Sequence, residues 1–134
     1  MSRLRKKNRL DILNLAIPLF AQLGYEGLSM RNLASKVGVT PAALYHHFKD
    51  KDELYVDAVS HAFEQKTADI KTVMAAEEEP MKRLEVFVGW FVRALNKDQD
   101  FQKLLQRVML DSDPQRMQKL TKTTFLELFS AIQN

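Results

Sequence analysis

The side chains that could do chemistry concentrate in one stretch, GVTPAALYHHFKDK, residues 38–51. His46 and His47 are the first candidates there, because imidazole nitrogens bind divalent metal ions well. Adjacent residues on a helix point about 100° apart, so this pair is poorly placed to chelate one ion. The remaining histidine, His61, lies far along the chain from both. We therefore expect neither a metal site nor a cofactor.

The sequence also shows no recognisable catalytic motif. It contains no cysteine, which excludes disulfides, thiolate metal sites and thiol catalysis, and fits a reducing compartment. No nucleophile and base, metal cluster or phosphate-binding loop occurs with a specific spacing. No apolar run approaches the roughly 20 residues of a membrane-spanning helix, and the basic start does not resemble a signal peptide. We interpret the chain as a cytoplasmic protein that is not an enzyme.

The charge of the chain is distributed unevenly. Its 134 residues, 46% hydrophobic and 28% charged, have the composition of a globular protein with a net charge of +3. Residues 1–51 carry nine Lys/Arg against three Asp/Glu, whereas residues 52–134 carry eleven against fourteen. This split predicts an N-terminal third that meets a polyanion and a remainder with another task.

Two short helices must position the chemistry-bearing stretch. Apolar residues recur at helical spacing almost throughout, and no segment alternates as a strand would, so we predict an all-α fold. Ser29 is a suitable cap for a helix over Met30–Val37, and Gly38 can end it. Thr40 then caps a third helix over roughly Pro41–His47, with proline at its preferred first position.

A longer helix on each side should hold this pair. Helix 1 is predicted from about Arg9 to Leu23, with Gly24 ending it in a left-handed conformation and Pro18 kinking or breaking it. Helix 3 should bury Leu44 and Phe48. The predicted apolar face of helix 1 consists of Ile12, Leu13, Ala16, Phe20 and Leu23.

Four further helices are predicted after residue 50. Asp50 and Glu53 have the spacing of a capping box for a helix 4 that continues to about Ala76, and Glu77–Pro80 marks the next boundary. Asp113 should cap helix 7. The predicted apolar residues are Leu84, Phe87, Val88, Phe91, Val92 and Leu95 in helix 5, Phe101, Leu104, Leu105, Val108 and Met109 in helix 6, and Met117, Leu120, Phe125, Leu128 and Ile132 in helix 7.

Two short helices joined by a glycine-containing turn match the helix-turn-helix motif, whose second helix enters the major groove of DNA. The run over residues 24–54 resembles the DNA-binding domain of the TetR/AcrR family of transcriptional regulators. The matching positions are Gly24, Ser29, Arg31, Leu33, Ala34, Gly38, Val39, Thr40, Leu44, Tyr45, His47, Phe48, Lys51 and Leu54.

The resemblance implies roles for individual residues. Tyr45, His47 and Lys51 would contact backbone phosphates, although Tyr45 by its position alone could be a core residue. Arg31 would reach a guanine edge, for which its two-pronged guanidinium is suited, or remain a solvated cation. A basic arm, Arg3, Arg5, Lys6, Lys7 and Arg9, would be disordered when free and follow the phosphates when bound. The full predicted DNA-binding set is Ser29, Met30, Arg31, Thr40, Pro41, Ala42, Ala43, Tyr45, His46, His47 and Lys51.

Residues 52–134 would then form a helical domain for effector binding and dimerisation, separate from a DNA-binding domain over residues 1–51. The resemblance implies a homodimer that binds a palindromic operator in double-stranded DNA and is released by an apolar or amphipathic small molecule. Family members are longer than this chain, so we expect either a fragment or a different mode of dimerisation. Such apolar residues are more often plain core, but the candidate ligand-binding residues are Phe63, Phe87, Trp90, Phe91, Phe101, Met109 and Phe125.

One other class of protein remains open from the sequence. An all-helical interaction or structural protein, without sequence-specific DNA binding, would also show amphipathic helices and an incidental basic end. The charge split and the register of residues 38–51 favour the regulator.

Overall fold

The computed structural model describes residues 6–126, 130 and 133, without the side chains of Thr123 and Phe125. The described part is helical and contains no strand, which confirms the predicted all-α class. None of its helices is both long enough and apolar enough to cross a bilayer. The elements are α1 (Arg9–Leu23), α2 (Met30–Val37), α3 (Pro41–His47), α4 (Lys51–Ala75), α5 (Pro80–Lys97), α6 (Gln99–Met109), α7 (Pro114–Leu120) and a π-helical turn (Thr121–Phe125).

Local capping defines the ends of α2 and α3, as the sequence predicts. The Ser29 hydroxyl accepts a hydrogen bond from the Asn32 amide at 3.0 Å, and Gly38 ends α2 in the left-handed region at φ 83°. The Thr40 hydroxyl accepts from the Ala43 amide at 3.1 Å, and Pro41 occupies the first turn of α3. The turn between the two helices is therefore specified by its own residues.

Helix α1 differs from the prediction in three ways. It continues through Pro18 without the break that was one of the two expected outcomes, and the other outcome, a kink, stays a prediction. Gly24 has a positive φ of 75° but an extended ψ of 173°, so it is not left-handed helical. Leu23 is 43% exposed, since Ala21 occupies the buried position in the last turn.

Helix α4 begins with half of the predicted capping box. The Asp50 carboxylate accepts from the Glu53 amide at 2.9 Å. The Glu53 carboxylate accepts from the Lys49 amide at 2.8 Å, rather than from Asp50. This arrangement fixes the connection between α3 and α4.

One apolar core runs through both predicted domains. Helix α1 packs on α4 and α6, and the inner faces of α2 and α3 close one end of the core. The proposed boundary after residue 51 therefore crosses continuous packing, and stays a prediction. Fully buried core residues include Ile12, Ala16, Phe20, Leu33, Leu44, Phe48, Leu54, Val59, Leu104, Val108 and Leu120.

Helix α5 buries less of its apolar stripe than predicted. Leu84, Val88 and Val92 are 41%, 50% and 52% exposed. The helix packs against α4 and α6 along Ala94 and its neighbours, and no described element covers the other edge of the stripe. The apolar residues Leu128 and Ile132, predicted for the last helix, lie outside the described residues.

Candidate nucleic-acid interface

Helix α3 divides sharply into an inner and an outer face. Leu44 and Phe48 are completely buried, as predicted. Tyr45 is 52% exposed, which excludes the alternative that it is a core residue. Ala43 and His47 are half-buried, and the remaining predicted contact residues, Thr40, Pro41, Ala42 and His46, are exposed. The core thus holds α3 from one side and leaves the other side open.

The two histidines form part of this surface. Their rings meet edge to face, with centroids 5.2 Å apart. No group of histidine and acidic side chains in the described ranges is arranged to hold a metal ion.

The predicted residues of α2 separate into surface and core positions. Arg31 is exposed and has no hydrogen-bond or ion-pair partner among the described residues. Ser29 is exposed, but its hydroxyl is used by the cap. Met30 is only 9% exposed and packs in the core. Its side chain is therefore poorly placed for the direct DNA contact that was predicted.

Lys51 is engaged within the protein. Its ammonium donates to the carbonyl oxygens of Tyr25 and Leu28 at 3.0 and 2.9 Å, and lies 3.9 Å from the centroid of the Tyr25 ring. An ammonium has three hydrogens, and these two bonds use two of them. Lys51 therefore holds residues 24–28, the α1–α2 connection. Any phosphate contact would be additional to that role.

Arg9, placed by prediction in a free basic arm, is instead bound to the fold. Its guanidinium pairs with the Asp57 carboxylate, donates to the His47 carbonyl at 2.9 Å and lies 4.3 Å from the centroid of the Phe48 ring. It thereby joins the start of α1 to the end of α3 and to α4. Lys6 is exposed and Lys7 half-buried, whereas Arg3 and Arg5 lie outside the described residues.

Two arginines that sequence reasoning did not single out reach the α1–α2 connection from distant helices. Arg107 of α6 donates to the Ala21 and Gln22 carbonyls, both at 2.8 Å. Arg116 of α7 lies with its guanidinium carbon 3.6 Å from the centroid of the Tyr25 ring. No local motif marks the contacts of either arginine with the α1–α2 connection, since the carbonyls that Arg107 binds and the Tyr25 ring beside Arg116 are distant in sequence.

The surroundings of Arg116 are strongly polar. It binds Asp111 through two hydrogen bonds of 2.9 Å, which hold the pKa of that carboxyl below its ordinary value. Burial, followed by the hydrogen bond that the Tyr25 hydroxyl donates to Asp52, raises the pKa of Tyr25 to about 12. Tyr25 is therefore neutral and Asp111 negatively charged at neutral pH.

The candidate ligand-binding residues form one aromatic cluster with two exceptions. Phe63 and Phe101 are buried and meet at 5.1 Å between centroids, while the half-buried rings of Phe87, Trp90 and Phe91 lie within 6.2 Å of one another. Met109 is 70% exposed at the end of α6. The side chain of Phe125 lies outside the described residues.

A cavity of about 170 Å³ opens beside this cluster, lined in part by Ile17, Ala62 and Phe101. An ion pair of 2.7 Å between Lys66 and Asp98 stands at its wall, and the hydrogen bond from Lys66 lowers the pKa of Asp98. The cavity is smaller than the 300 to 1,000 Å³ that is usual for ligand pockets.

Comparison with known proteins identifies relatives of the helix-turn-helix region. Residues 12–58 match the family model described as "Bacterial regulatory proteins, tetR family". The transcriptional repressor KstR of Rhodococcus jostii is 27% identical over 112 residues, which is 84% of this chain and 52% of that repressor. The regulator IcaR of Staphylococcus epidermidis is 35% identical over 52 residues, 39% of this chain and 28% of its own length. The chain thus spans about half the length of the KstR repressors that it matches.

Solved structures share the fold over most of the chain. The transcriptional regulator FadR of Bacillus subtilis, crystallised in complex with stearoyl-CoA, superimposes with a TM-score of 0.78 at 18% identity, over 93% of this chain and 66% of that one. A TetR-family regulator of Mesorhizobium loti gives 0.72 at 22% identity, over 92% of this chain and 63% of that one. At these identities the likeness establishes the helical architecture.

Proposed function

We propose that this chain is a transcriptional repressor of the TetR/AcrR family, which its helix-turn-helix region matches, and that it reads double-stranded DNA with α3. KstR and IcaR, its relatives in sequence, are named as transcriptional regulators and neither as an enzyme. The observation that carries the proposal is the division of α3, with Leu44 and Phe48 fully buried and Tyr45 half exposed. A helix of seven residues is too short to be stable alone, so its outer face is available for contact only because the core holds the inner one.

The exposed residues suit the two kinds of DNA contact. Small apolar groups such as Ala42 fit beside thymine methyl groups, and the hydroxyl of Tyr45 can donate to a phosphate oxygen. On α2, Arg31 has no partner among the described residues, and its guanidinium can donate to O6 and N7 of guanine together. We assign base reading to Arg31 and to the first turn of α3, and phosphate binding to Tyr45 and His47.

We further propose that the protein acts in the cytoplasm as a homodimer on a palindromic operator. Two-fold symmetry places two reading helices on half-sites about 34 to 36 Å apart, so a change in their separation would release the DNA. The effector would be an amphipathic molecule that contacts the aromatic cluster around Phe91 and Phe101. FadR, whose structure contains stearoyl-CoA, supports this chemical class.

Selection of bound duplexes from random DNA, followed by sequencing, tests the proposal. We expect enrichment of one palindrome whose half-sites are centred about one helical turn apart. Enrichment of a single half-site would support sequence-specific DNA binding but contradict the proposed homodimer. Recovery of no preferred sequence would instead favour an interaction or structural protein.

A further inference from the structure

We propose that Arg107 and Arg116, the junction arginines, position the DNA-reading surface by holding the α1–α2 connection from the C-terminal helices. The inference rests on the proposed function, but it concerns residues outside the segment that carries the family pattern. Residues 12–58 match that pattern, whereas the junction arginines come from α6 and α7.

Arg107 completes the C-terminal end of α1. The last carbonyls of a helix lack partners within the helix and carry its partial negative charge. Helix α1 has no basic residue in its last turn. Arg107 supplies both the donors and the positive charge through its bonds of 2.8 Å to Ala21 and Gln22. It fixes the point at which α1 ends and the connection begins.

Gly24 leaves room for this contact. A Cβ atom at Gly24 would lie 2.5 Å from Nη1 of Arg107, and φ at this position is +75°. The backbone conformation requires glycine at this position, and a Cβ atom there would displace the end of the Arg107 side chain. The end of α1 and the guanidinium of Arg107 therefore pack closely against one another.

Arg116 holds the next residue of the connection. Its guanidinium packs on the ring of Tyr25 and lies 3.5 Å from the carboxylate of Asp52, to which the Tyr25 hydroxyl also donates. Asp111 and Asp113, at 2.9 and 3.2 Å, fix the guanidinium itself in place. Only 9% of the Arg116 side chain is exposed, so solvent competes little for these contacts.

The connection leads directly into the reading surface. Lys51 binds the carbonyls of Tyr25 and Leu28, and the next residue, Ser29, is the cap of α2. Arg31 lies in the first turn of α2. A shift of residues 24–28 would therefore move the start of α2 and the guanidinium of Arg31 relative to α3. Since a displacement of about 1 Å can cost a large factor in a positioned interaction, the junction arginines should matter for DNA affinity.

The test is the variant Arg107→Met, which keeps much of the side-chain length and removes the donors. Arg93→Met is its matched control, because Arg93 is exposed on α5, and the two substitutions remove the same charge. Affinity for the selected operator is measured by fluorescence anisotropy, well below the unfolding temperature of each variant. Hydrogen exchange of residues 24–31 is followed in the same samples without DNA.

We expect Arg107→Met to weaken operator binding about tenfold, with faster exchange at residues 24–31, and Arg93→Met to weaken it less than about twofold. The variant Arg107→Lys, which retains one cationic donor, should be intermediate. Equal affinities and equal exchange in Arg107→Met and Arg93→Met would overturn the positioning role. If circular dichroism shows that Arg107→Met does not fold, the test uses Arg107→Lys alone. Wild-type affinity together with wild-type exchange in Arg107→Lys would then overturn the positioning role. Failure of the wild-type protein to prefer any duplex would count against the proposed function itself, whereas exchange reports on the connection independently.

Discussion

At the scale of single residues, Arg31 and Tyr45 are exposed on neighbouring helices but should make different contributions to binding. Arg31 is suited to a base edge, whereas the Tyr45 hydroxyl is suited to a phosphate. A base contact distinguishes between sequences, and a phosphate contact stabilises all of them equally. The two residues can therefore be separated by comparing affinities for several duplexes.

We expect Arg31→Ala to reduce discrimination at one base pair by about 1 to 3 kcal/mol. Tyr45→Phe should weaken binding by the same factor for every duplex. Binding of the operator and its single-base variants, measured at one salt concentration, checks both. Lys36→Ala, an equal loss of charge at another exposed position of α2, is the control. Unchanged base preference in Arg31→Ala would show that Arg31 does not read a base.

Lys51 and Arg9 show which part of the site could not be predicted from sequence. Their charges and positions indicate phosphate contacts, and a free side chain has the same sequence signature as a bound one. Lys51 binds the backbone carbonyls of Tyr25 and Leu28, which every residue type possesses. Arg9 binds Asp57, forty-eight residues away. Such partners become visible only when the fold brings them together.

Asp111 should make the stability of the junction dependent on pH. Its pairing with Arg116 lowers its pKa in the folded chain, so the stabilisation is complete above the ordinary pKa of about 3.9 and declines as the pH falls through the lower folded value. The free energy of unfolding of Asp111→Asn should lie below that of the wild type at pH 7, and the difference should shrink below about pH 4.

Urea unfolding at several pH values measures this difference. Asp69→Asn, at an exposed position of α4 without an ion-pair partner among the described residues, is the control and should change the free energy of unfolding little. A constant difference for Asp111→Asn across the acid range would contradict the stabilising role of the pair.

At the scale of elements, the helices whose ends carry local signals were predicted correctly. Ser29, Gly38, Thr40 and Pro41 specify the ends of α2 and α3 through their own side chains and backbone preferences. Helix α5 was predicted less well. Its apolar period indicates a stripe, but the period does not say which neighbours cover that stripe, and Val88 and Val92 stay half exposed.

The cap of α3 should contribute measurably to stability. Thr40→Ala removes the acceptor for the Ala43 amide and should lower the free energy of unfolding by about 1 kcal/mol. Thr40→Ser retains the hydroxyl and should remain close to the wild type. Chemical denaturation of the three proteins measures the effect, and equal loss in both variants would show that the cap bond contributes nothing.

At the scale of the whole molecule, the uneven charge predicts how binding depends on salt. The excess of Lys and Arg in residues 1–51 should release counterions from DNA, so the logarithm of the binding constant should fall linearly with the logarithm of salt concentration. Each neutralised phosphate contributes a slope of about −0.9. Titrations of one duplex between low and physiological salt provide the measurement, and a slope near zero would exclude an interface dominated by phosphate.

The central claim is that the outer face of α3 lies against DNA, and a single pair of variants tests it most directly. Ala42→Glu places a negative charge on that face, in the first turn, where an acidic residue favours the helix. Ala68→Glu places the same charge on an exposed position of α4. Anisotropy of labelled operator, titrated with each protein, should show loss of binding for Ala42→Glu and an affinity near the wild type for Ala68→Glu. Equal affinities of the two variants would contradict the claim.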